Sequence, residues 1–418
     1  MSTDLRTALR EVVGDAPAYG VDTDAVIEAG RRRIRRRAAV AVGSCALAAA
    51  AVVAVTATAG QERPDPDPAP AEIVHLDLDD AAPARPDVLV STRTAWDKNR
   101  DALEYDELVG ITADGLVVRG RHTREHGEVE LGLLDPSSGT TEWLPTPGGR
   151  LVDAMPVDLT AERLVLALAA GNRHSVLVFD RATAQWQREA IEVPAGIEVH
   201  VPPLFELGAD GRLYIGTAME GDAGPLHWWS AAVPDGGAAR SEPDLRGATV
   251  TWGDGTRLTA DEDGRVVLTD PAATTTVVAD RRPPGCEQPT EFPDSAVRVV
   301  LAGDVPVVTY PCEGDHLTLV YRDGEDPVAI RGVSALAGDA GHVVLATVHA
   351  YQGALLADHD HPQHTYLLDL ADLSLDRVGA GPHEEEVALA AGLMLWNEPG
   401  PGDTPDAYDV VWNVARIE

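Results

Sequence analysis

The sequence contains none of the short motifs that mark the common catalytic sites. There is no Gly-x-Ser-x-Gly elbow of a hydrolase, no His-Glu-x-x-His zinc motif and no glycine-rich phosphate loop. The stretch that begins His383-Glu384 has no second histidine at the required spacing. We therefore predict no catalytic residue and no cofactor. Whether the chain is an enzyme stays open, and a non-enzymatic role is favoured.

Basic residues are scarce. The 418 residues include 33 Lys and Arg against 68 Asp and Glu, and Lys98 is the single lysine. The formal net charge is −35, and residues 1–37 hold eight basic and six acidic residues, which leaves −37 for the rest. Such a surface repels phosphates, so nucleic-acid binding is excluded. The charge serves the solubility of an exposed domain or, alternatively, a preference for cations or basic partners.

Long apolar runs are also rare, and the clearest one decides location. Residues 38–60 are 23 uncharged residues, preceded by six arginines within 31–37 and followed by a proline- and aspartate-rich stretch, 61–72. About 20 apolar residues cross a bilayer as a helix, and flanking arginines hold their side in the cytoplasm. We predict a cytoplasmic segment (1–37), a transmembrane helix (38–60), a linker (61–72) and an extracytoplasmic domain (73–418) at the cell membrane.

The same run has a second interpretation as a cleaved signal. Ala57-Thr58-Ala59 resembles a signal-peptidase site, with cleavage after Ala59. The preceding 37 residues are long for a signal peptide, which favours an uncleaved anchor. The arrangement resembles actinobacterial single-pass membrane proteins with short tails.

Three cysteines occur, and two of them lie in the exported part. Cys45 is inside the apolar run, whereas Cys286 and Cys312 are 26 positions apart beside prolines and glycines. An oxidising compartment favours a disulfide between Cys286 and Cys312. The alternative is two unpaired thiols.

After the linker, short β-rich runs separated by turn residues replace helical periodicity. One series of turns recurs about every 46 residues, at Gly115, Glu162, Gly211, Gly255, Asp304, Gly341 and Gly392. A second series lies between its members, so each repeat holds two hairpin turns and about four strands. Four strands per 40 to 50 residues is the pattern of a propeller blade.

This pattern predicts an all-β fold, a β-propeller of about seven four-stranded blades. Over about 340 residues it resembles WD-repeat, TolB-like and quinoprotein-like propellers, although the Gly-His and Trp-Asp signatures of WD repeats are missing. Six or eight blades, or two β-sandwich domains, are the alternatives. We expect one of the early strands between Glu72 and Thr94 to pair with the last blade, which ends in the strand 409–418, and close the ring.

Few residues stand out as ligands. A cluster near Asp358 contains the metal candidates His359, His361 and His364, for which a solvated loop is the alternative. Aspartates at 76–80 and 259–268 hint at calcium but fit strand ends and turns better. Trp228 and Trp229 offer a stacking platform, although adjacent strand residues face opposite ways and at least one should be core.

The resulting hypothesis is a membrane-anchored propeller that binds or senses a protein or small-molecule ligand. One alternative is a propeller enzyme, resembling a metal-dependent lactonase or a quinone-dependent dehydrogenase. Another is a signalling protein with a short regulatory tail. An inner channel of uncharged side chains would favour binding, and a ring of inward carboxylates and histidines would favour an enzyme.

Overall fold

A computed structural model describes thirteen stretches of the chain, all of them within the compact part Ala71–Glu418. The described residues are 73–84, 86–97, 105–122, 129–147, 154–170, 173–193, 204–217, 226–286, 297–312, 315–347, 363–381, 387–400 and 407–417. No helix within these stretches is long and apolar enough to span a bilayer. The predicted transmembrane helix (38–60), the cytoplasmic segment and the linker lie outside them.

The described residues form strands and two 3₁₀ turns, Leu78–Asp80 and Pro243–Leu245, which confirms the all-β prediction. The first fifteen strands are β1 (Val74–Leu76), β2 (Ala82–Pro83), β3 (Asp87–Asp97), β4 (Tyr105–Ile111), β5 (Val117–His122), β6 (Val129–Asp135), β7 (Thr140–Trp143), β8 (Ala154–Leu159), β9 (Arg163–Ala170), β10 (Arg173–Asp180), β11 (Gln185–Glu192), β12 (Leu204–Leu207), β13 (Arg212–Thr217), β14 (His227–Ala232) and β15 (Gly236–Ser241). The other fifteen are β16 (Thr249–Gly253), β17 (Thr256–Ala260), β18 (Val266–Thr269), β19 (Thr275–Ala279), β20 (Arg298–Ala302), β21 (Val305–Cys312), β22 (Asp315–Val320), β23 (Val328–Arg331), β24 (Val333–Gly338), β25 (His342–Thr347), β26 (His364–Asp369), β27 (Leu375–Ala380), β28 (Ala388–Ala390), β29 (Leu393–Pro399) and β30 (Ala407–Arg416).

These strands are organised as antiparallel meanders of four. In chain order, meanders 1 to 7 are β4–β7, β8–β11, β12–β15, β16–β19, β20–β23, β24–β27, and β28–β30 completed by β3. Every member of the first predicted series of turns lies between the first and second strands of a meander. The second series lies between the third and fourth strands of meanders 1 to 6. The two interleaved sets of turns predicted from the sequence are therefore confirmed.

Glycine makes the tightest of these turns accessible. The turn between β16 and β17 consists of Asp254 and Gly255, both with positive φ (48° and 81°). Two consecutive positive φ values match the right-handed twist of the joined strands, and an Asp-Gly pair adopts them at low cost. The sequence therefore encodes this hairpin locally.

The first strands of consecutive meanders contact one another in a cycle. The contacts run from β4 through β8, β12, β16, β20 and β24 to β28, which contacts β4 again. Between each pair of neighbouring meanders lies one cluster of buried apolar side chains. Each sheet thus buries both faces against its neighbours. This cyclic order does not match the alternative of two β-sandwich domains.

The two ends of the described part meet in meander 7. Strand β3 is its fourth strand and pairs antiparallel with β30, from Asp87 opposite Arg416 to Asp97 opposite Ala407. The predicted pairing of an early strand with the last one is confirmed. An N-terminal strand that completes the sheet of the C-terminal strands ties the cycle together by backbone hydrogen bonds.

The segment before β3 covers two outer edges. Strand β1 pairs in parallel with β23, the fourth strand of meander 5, and β2 pairs in parallel with β27 of meander 6. Meanders 2 and 3 cover each other through the parallel pairing of β11 with β15. These added strands occupy hydrogen-bonding edges that would otherwise attract other chains.

Candidate functional site

Carboxylates on the first strands are the natural candidates for chemistry near the axis of the cycle. The described first strands contain four of them: Asp106, Glu107, Asp158 and Glu206. Their remaining residues are mostly apolar or uncharged. The first strands that the structure describes therefore form no dense ring of carboxylates and histidines.

Three of the four carboxylates are paired inside their own meander. Arg119 donates to Asp106 at 2.6 Å, and His122 Nε2 lies 2.9 Å from Glu107. Arg163 donates to Asp158 at 3.0 Å. Arginine therefore neutralises Asp106 and Asp158, whereas the histidine beside Glu107 carries a charge only when it is protonated.

Glu206 differs from the other three. Within the described residues it has no cationic partner, and its hydrogen-bond donors are neutral: the backbone N–H of Trp252 and the hydroxyl of Thr251. Both donors belong to β16, the first strand of the next meander. Glu206 therefore links β12 to β16 across the interface between meanders 3 and 4.

Burial raises the pKa of Glu206 to about 8, against an ordinary value of 4.5, and the two hydrogen bonds only partly oppose this. The side chain nevertheless keeps partial solvent exposure. The raised pKa and the partial exposure together describe a side chain that is densely surrounded by protein atoms but still in contact with water. At neutral pH most molecules carry Glu206 as a neutral acid.

Aromatic rings stand next to this carboxyl group. Tyr214 is directly opposite Glu206 in the β12–β13 ladder, so the two side chains lie on the same face of the sheet. The rings of Tyr214 and Trp252 are tilted against each other with centroids 4.4 Å apart. Trp228 is fully buried in the same cluster and donates its indole N–H to the carbonyl oxygen of Ala248 at 2.7 Å.

Polar groups continue along the same face of meander 3. The hydroxyl of Tyr214 donates to Asp210 at 3.1 Å, and burial, with this carboxylate, raises the pKa of Tyr214 to about 12. Ser230 donates to Glu242 at 2.5 Å and accepts from Arg212 at 2.9 Å. These bonds fix the sheet that carries Glu206 and Tyr214.

A carboxyl group with aromatic neighbours and no cation of its own can bind a positively charged group. The carboxylate supplies opposite charge, and the faces of Trp and Tyr rings attract cations by their quadrupoles. Because Glu206 is mostly protonated at neutral pH, binding of a cation there would release a proton. We take Glu206, Tyr214 and Trp252 as the candidate site.

A second concave region lies between the turns of meanders 7 and 1. This cleft of about 520 Å³ is bordered by Asp114, Asp135, Gly392 and Arg416, among others. Arg181 donates twice to Asp114 at 2.8 Å and holds the pKa of that carboxyl at about 2. Ser137 and Ser138 donate to Asp135. The two carboxylates of the cleft are thus already engaged by neighbouring donors.

The metal candidates are only partly described. His359 and His361 lie outside the described residues. His364 begins β26, and its backbone N–H donates to the hydroxyl of Thr347 at 2.8 Å. The described stretches contain no group of three or more His, Cys, Asp or Glu side chains placed to hold a metal ion. The metal site stays a prediction.

Several other sequence predictions have clear outcomes. Cys286 and Cys312 form the expected disulfide, which joins the segment after meander 4 to β21 of meander 5. Trp228 is core, as expected for one of the two adjacent tryptophans, and Trp229 packs on the opposite face of the sheet. The aspartates at 261 and 263 lie in the turn between β17 and β18.

Sequence reasoning missed Glu206 and its surroundings. No local motif marks it, because its donors come from Thr251 and Trp252, about one repeat further along the chain. Such a site could be found by looking for a charged residue on a first strand together with a hydrogen-bond donor about 46 residues later, on the first strand of the next repeat.

No family model and no curated protein matches the chain. The chain is similar to an oligogalacturonate lyase from Vibrio parahaemolyticus at 10% identity and a TM-score of 0.48, over 79% of this chain and 98% of that one. It is also similar to the β-propeller domain of the Trilobed protease from Pyrococcus furiosus at 10% identity and a TM-score of 0.47, over 77% of this chain and 97% of that one. A further similarity is to TolB from Acinetobacter baumannii at 11% identity and a TM-score of 0.31, over 55% of this chain and 57% of that one.

The described part of the chain is a β-propeller. The cyclic order of its sheets shows this. At these identities the likeness concerns the fold alone. The propeller therefore has to be assigned a role from its own residues.

Proposed function

We propose that this protein is a single-pass membrane protein whose extracytoplasmic propeller of seven blades binds and senses a ligand. Each meander is one blade, and the site is formed by Glu206, Tyr214 and Trp252 at the junction of meanders 3 and 4. The ligand presents a positively charged group, either as a small molecule or as a side chain of a partner protein.

The membrane location is supported by sequence chemistry. The uncharged run at 38–60 is long enough for a spanning helix, and the arginines before it favour a cytoplasmic N-terminus. The disulfide between Cys286 and Cys312 fits an oxidising compartment outside the cytoplasm.

The binding role is carried by one observation. On the described first strands, Asp106 and Asp158 are paired with arginines and Glu107 lies beside a histidine, whereas Glu206 has only neutral hydrogen-bond donors. In a chain of net charge −35, the surrounding field concentrates cations rather than anions. The aromatic neighbours add the ring faces on which an ammonium or guanidinium group can rest.

Ligand binding is tested with simple cations as probes. Thermal stability of the purified full-length chain would be measured with spermidine, agmatine or sodium chloride at matched ionic strength. We expect the amines, but not the salt, to raise the melting temperature, and more at a pH above about 8, where Glu206 is ionised. The effect should vanish in Glu206→Gln. Equal effects on wild type and Glu206→Gln would contradict the site.

Location is tested separately with terminal epitope tags. Protease added to intact cells should remove a C-terminal tag and leave an N-terminal tag until lysis. Survival of the C-terminal tag in intact cells would contradict the orientation without touching the binding hypothesis.

A further inference from the structure

The outer strand of meander 4 has an open edge. Strand β19 pairs with β18 on one side, and no described residue pairs with its other side. The backbone N–H and C=O groups along such an edge are strong hydrogen-bonding groups that a further strand can use.

The fourth strands of the other meanders are covered or carry charges within the described residues. β23 and β27 bear the added strands β1 and β2, and β11 pairs with β15. The outer strand of meander 1, β7, contains the exposed Glu142, and β3 contains Asp87 and Arg93. Charged residues on an edge discourage the addition of another strand.

Strand β19 has neither kind of protection. Its sequence from Thr275 to Ala279 is Thr-Thr-Val-Val-Ala, without a charge and rich in β-branched residues. Val277 is 43% exposed, which is unusual for a large apolar side chain in this structure. A register shift opposite Val266 and Val267 limits the regular edge to Thr275–Val277.

The fold already accepts strands at equivalent edges. β1 adds to β23 through three residue pairs, Val74 to Leu76 opposite Val328 to Ile330, and β2 adds to β27 through two. The regular edge of β19 is as long as the first of these, and meander 4 is the direct neighbour of meander 5. A strand of the same length and direction therefore has a geometric precedent next to it.

Charge distinguishes the candidate occupants. Each copy of this chain carries −35, and exposed Asp270 and Asp280 flank β19, with Arg281 and Arg282 directly after Asp280. A second copy would bring a like charge to the edge, whereas a segment with basic flanks would be attracted. We propose that the outer edge of β19 binds an extended segment with basic flanks from a partner protein, which adds to meander 4 as a fifth strand.

This recognition mode assigns separate roles to backbone and side chains. The backbone hydrogen bonds of the added strand provide affinity, and Val277 provides an apolar contact for one of its side chains. The acidic surroundings select basic flanks and speed association at low salt.

The test uses the full-length chain and a fluorescent peptide, KTVTVTK, followed by anisotropy. We expect saturable binding that is about tenfold weaker for the peptide ETVTVTE and undetectable for KTVTVTK with N-methylated valines, which cannot donate backbone hydrogen bonds. Val277→Lys should abolish binding, whereas Val277→Thr, which keeps a β-branched uncharged side chain, should retain most of it. Unchanged circular dichroism would show that both variants fold.

Several outcomes would overturn the proposal. The first is undetectable binding of KTVTVTK at low salt. The second is that the N-methylated peptide binds as tightly as KTVTVTK, and the third is that Val277→Lys binds KTVTVTK as tightly as wild type. A wild-type dimer that Val277→Lys converts to a monomer would also overturn it, because a second copy would then be the occupant. None of these results bears on Glu206, so the two sites are tested independently.

Discussion

Replacing Glu206 by Gln should remove a pH dependence of stability. The pKa of Glu206 is about 8 in the folded chain against 4.5 ordinarily, so the unfolded chain loses this proton first as the pH rises. The stability that Glu206 provides is fully present below pH 4.5 and is lost as the pH approaches 8. At 1.36 kcal/mol per pKa unit, the loss is on the order of 5 kcal/mol.

The amide of Glu206→Gln stays neutral and can still accept hydrogen bonds from Trp252 and Thr251. Urea unfolding of the full-length chain, followed by tryptophan fluorescence at about pH 5, 7 and 9, would measure the free energy of unfolding of both proteins. We expect similar values at pH 5 and a more stable variant at pH 9.

A matched control separates burial from charge. Glu192 is exposed on β11, so Glu192→Gln removes the same charge without a buried carboxyl group. It should leave the pH profile of wild type unchanged. If Glu206→Gln keeps the wild-type profile as well, then Glu206 is not a buried neutral acid and the candidate site loses its basis.

Two further changes probe the framework around the site. The double variant Cys286→Ser/Cys312→Ser should lower the free energy of unfolding by roughly 3 kcal/mol, because the 26-residue loop is no longer closed, and wild type measured under reducing conditions should match it. Trp228→Ala should lower the free energy of unfolding, measured in urea, by about 3 to 5 kcal/mol, because the side chain is fully buried and donates to the carbonyl oxygen of Ala248. A loss below about 1 kcal/mol would show that the cluster between meanders 3 and 4 repacks freely.

The four-stranded repeat could be predicted from the sequence because each turn is specified by residues that are adjacent in the chain. Asp114-Gly115, Asp210-Gly211 and Asp254-Gly255 each precede a second strand, and each glycine has a positive φ. Residues that alternate or stay apolar on either side complete the hairpin signal. A turn fixes which strands pair, so four-stranded meanders follow from such signals alone.

The pairing of β1 and β2 could not be predicted, because it joins segments that are far apart in the sequence. The sequence predicts a strand between Glu72 and Thr94 that closes the ring, yet β1 within this range pairs with β23, more than 250 positions away. Parallel pairing between distant segments depends on how the whole cycle is assembled and leaves no local pattern. The same limit applies to the coverage of β27 by β2 and of β11 by β15.

The candidate site depends both on a local strand and on a contact between distant parts of the sequence. Glu206 lies in a short strand whose sequence, Leu-Phe-Glu-Leu, resembles any half-buried strand. Its special character arises only because Trp252, 46 positions later, lies on the neighbouring first strand. A propeller brings one first strand to its axis per repeat, so residues that act together there are separated by whole repeats. The residues of the candidate site are therefore spaced at the period of the fold, and pairs of positions about 46 residues apart are the ones to vary together.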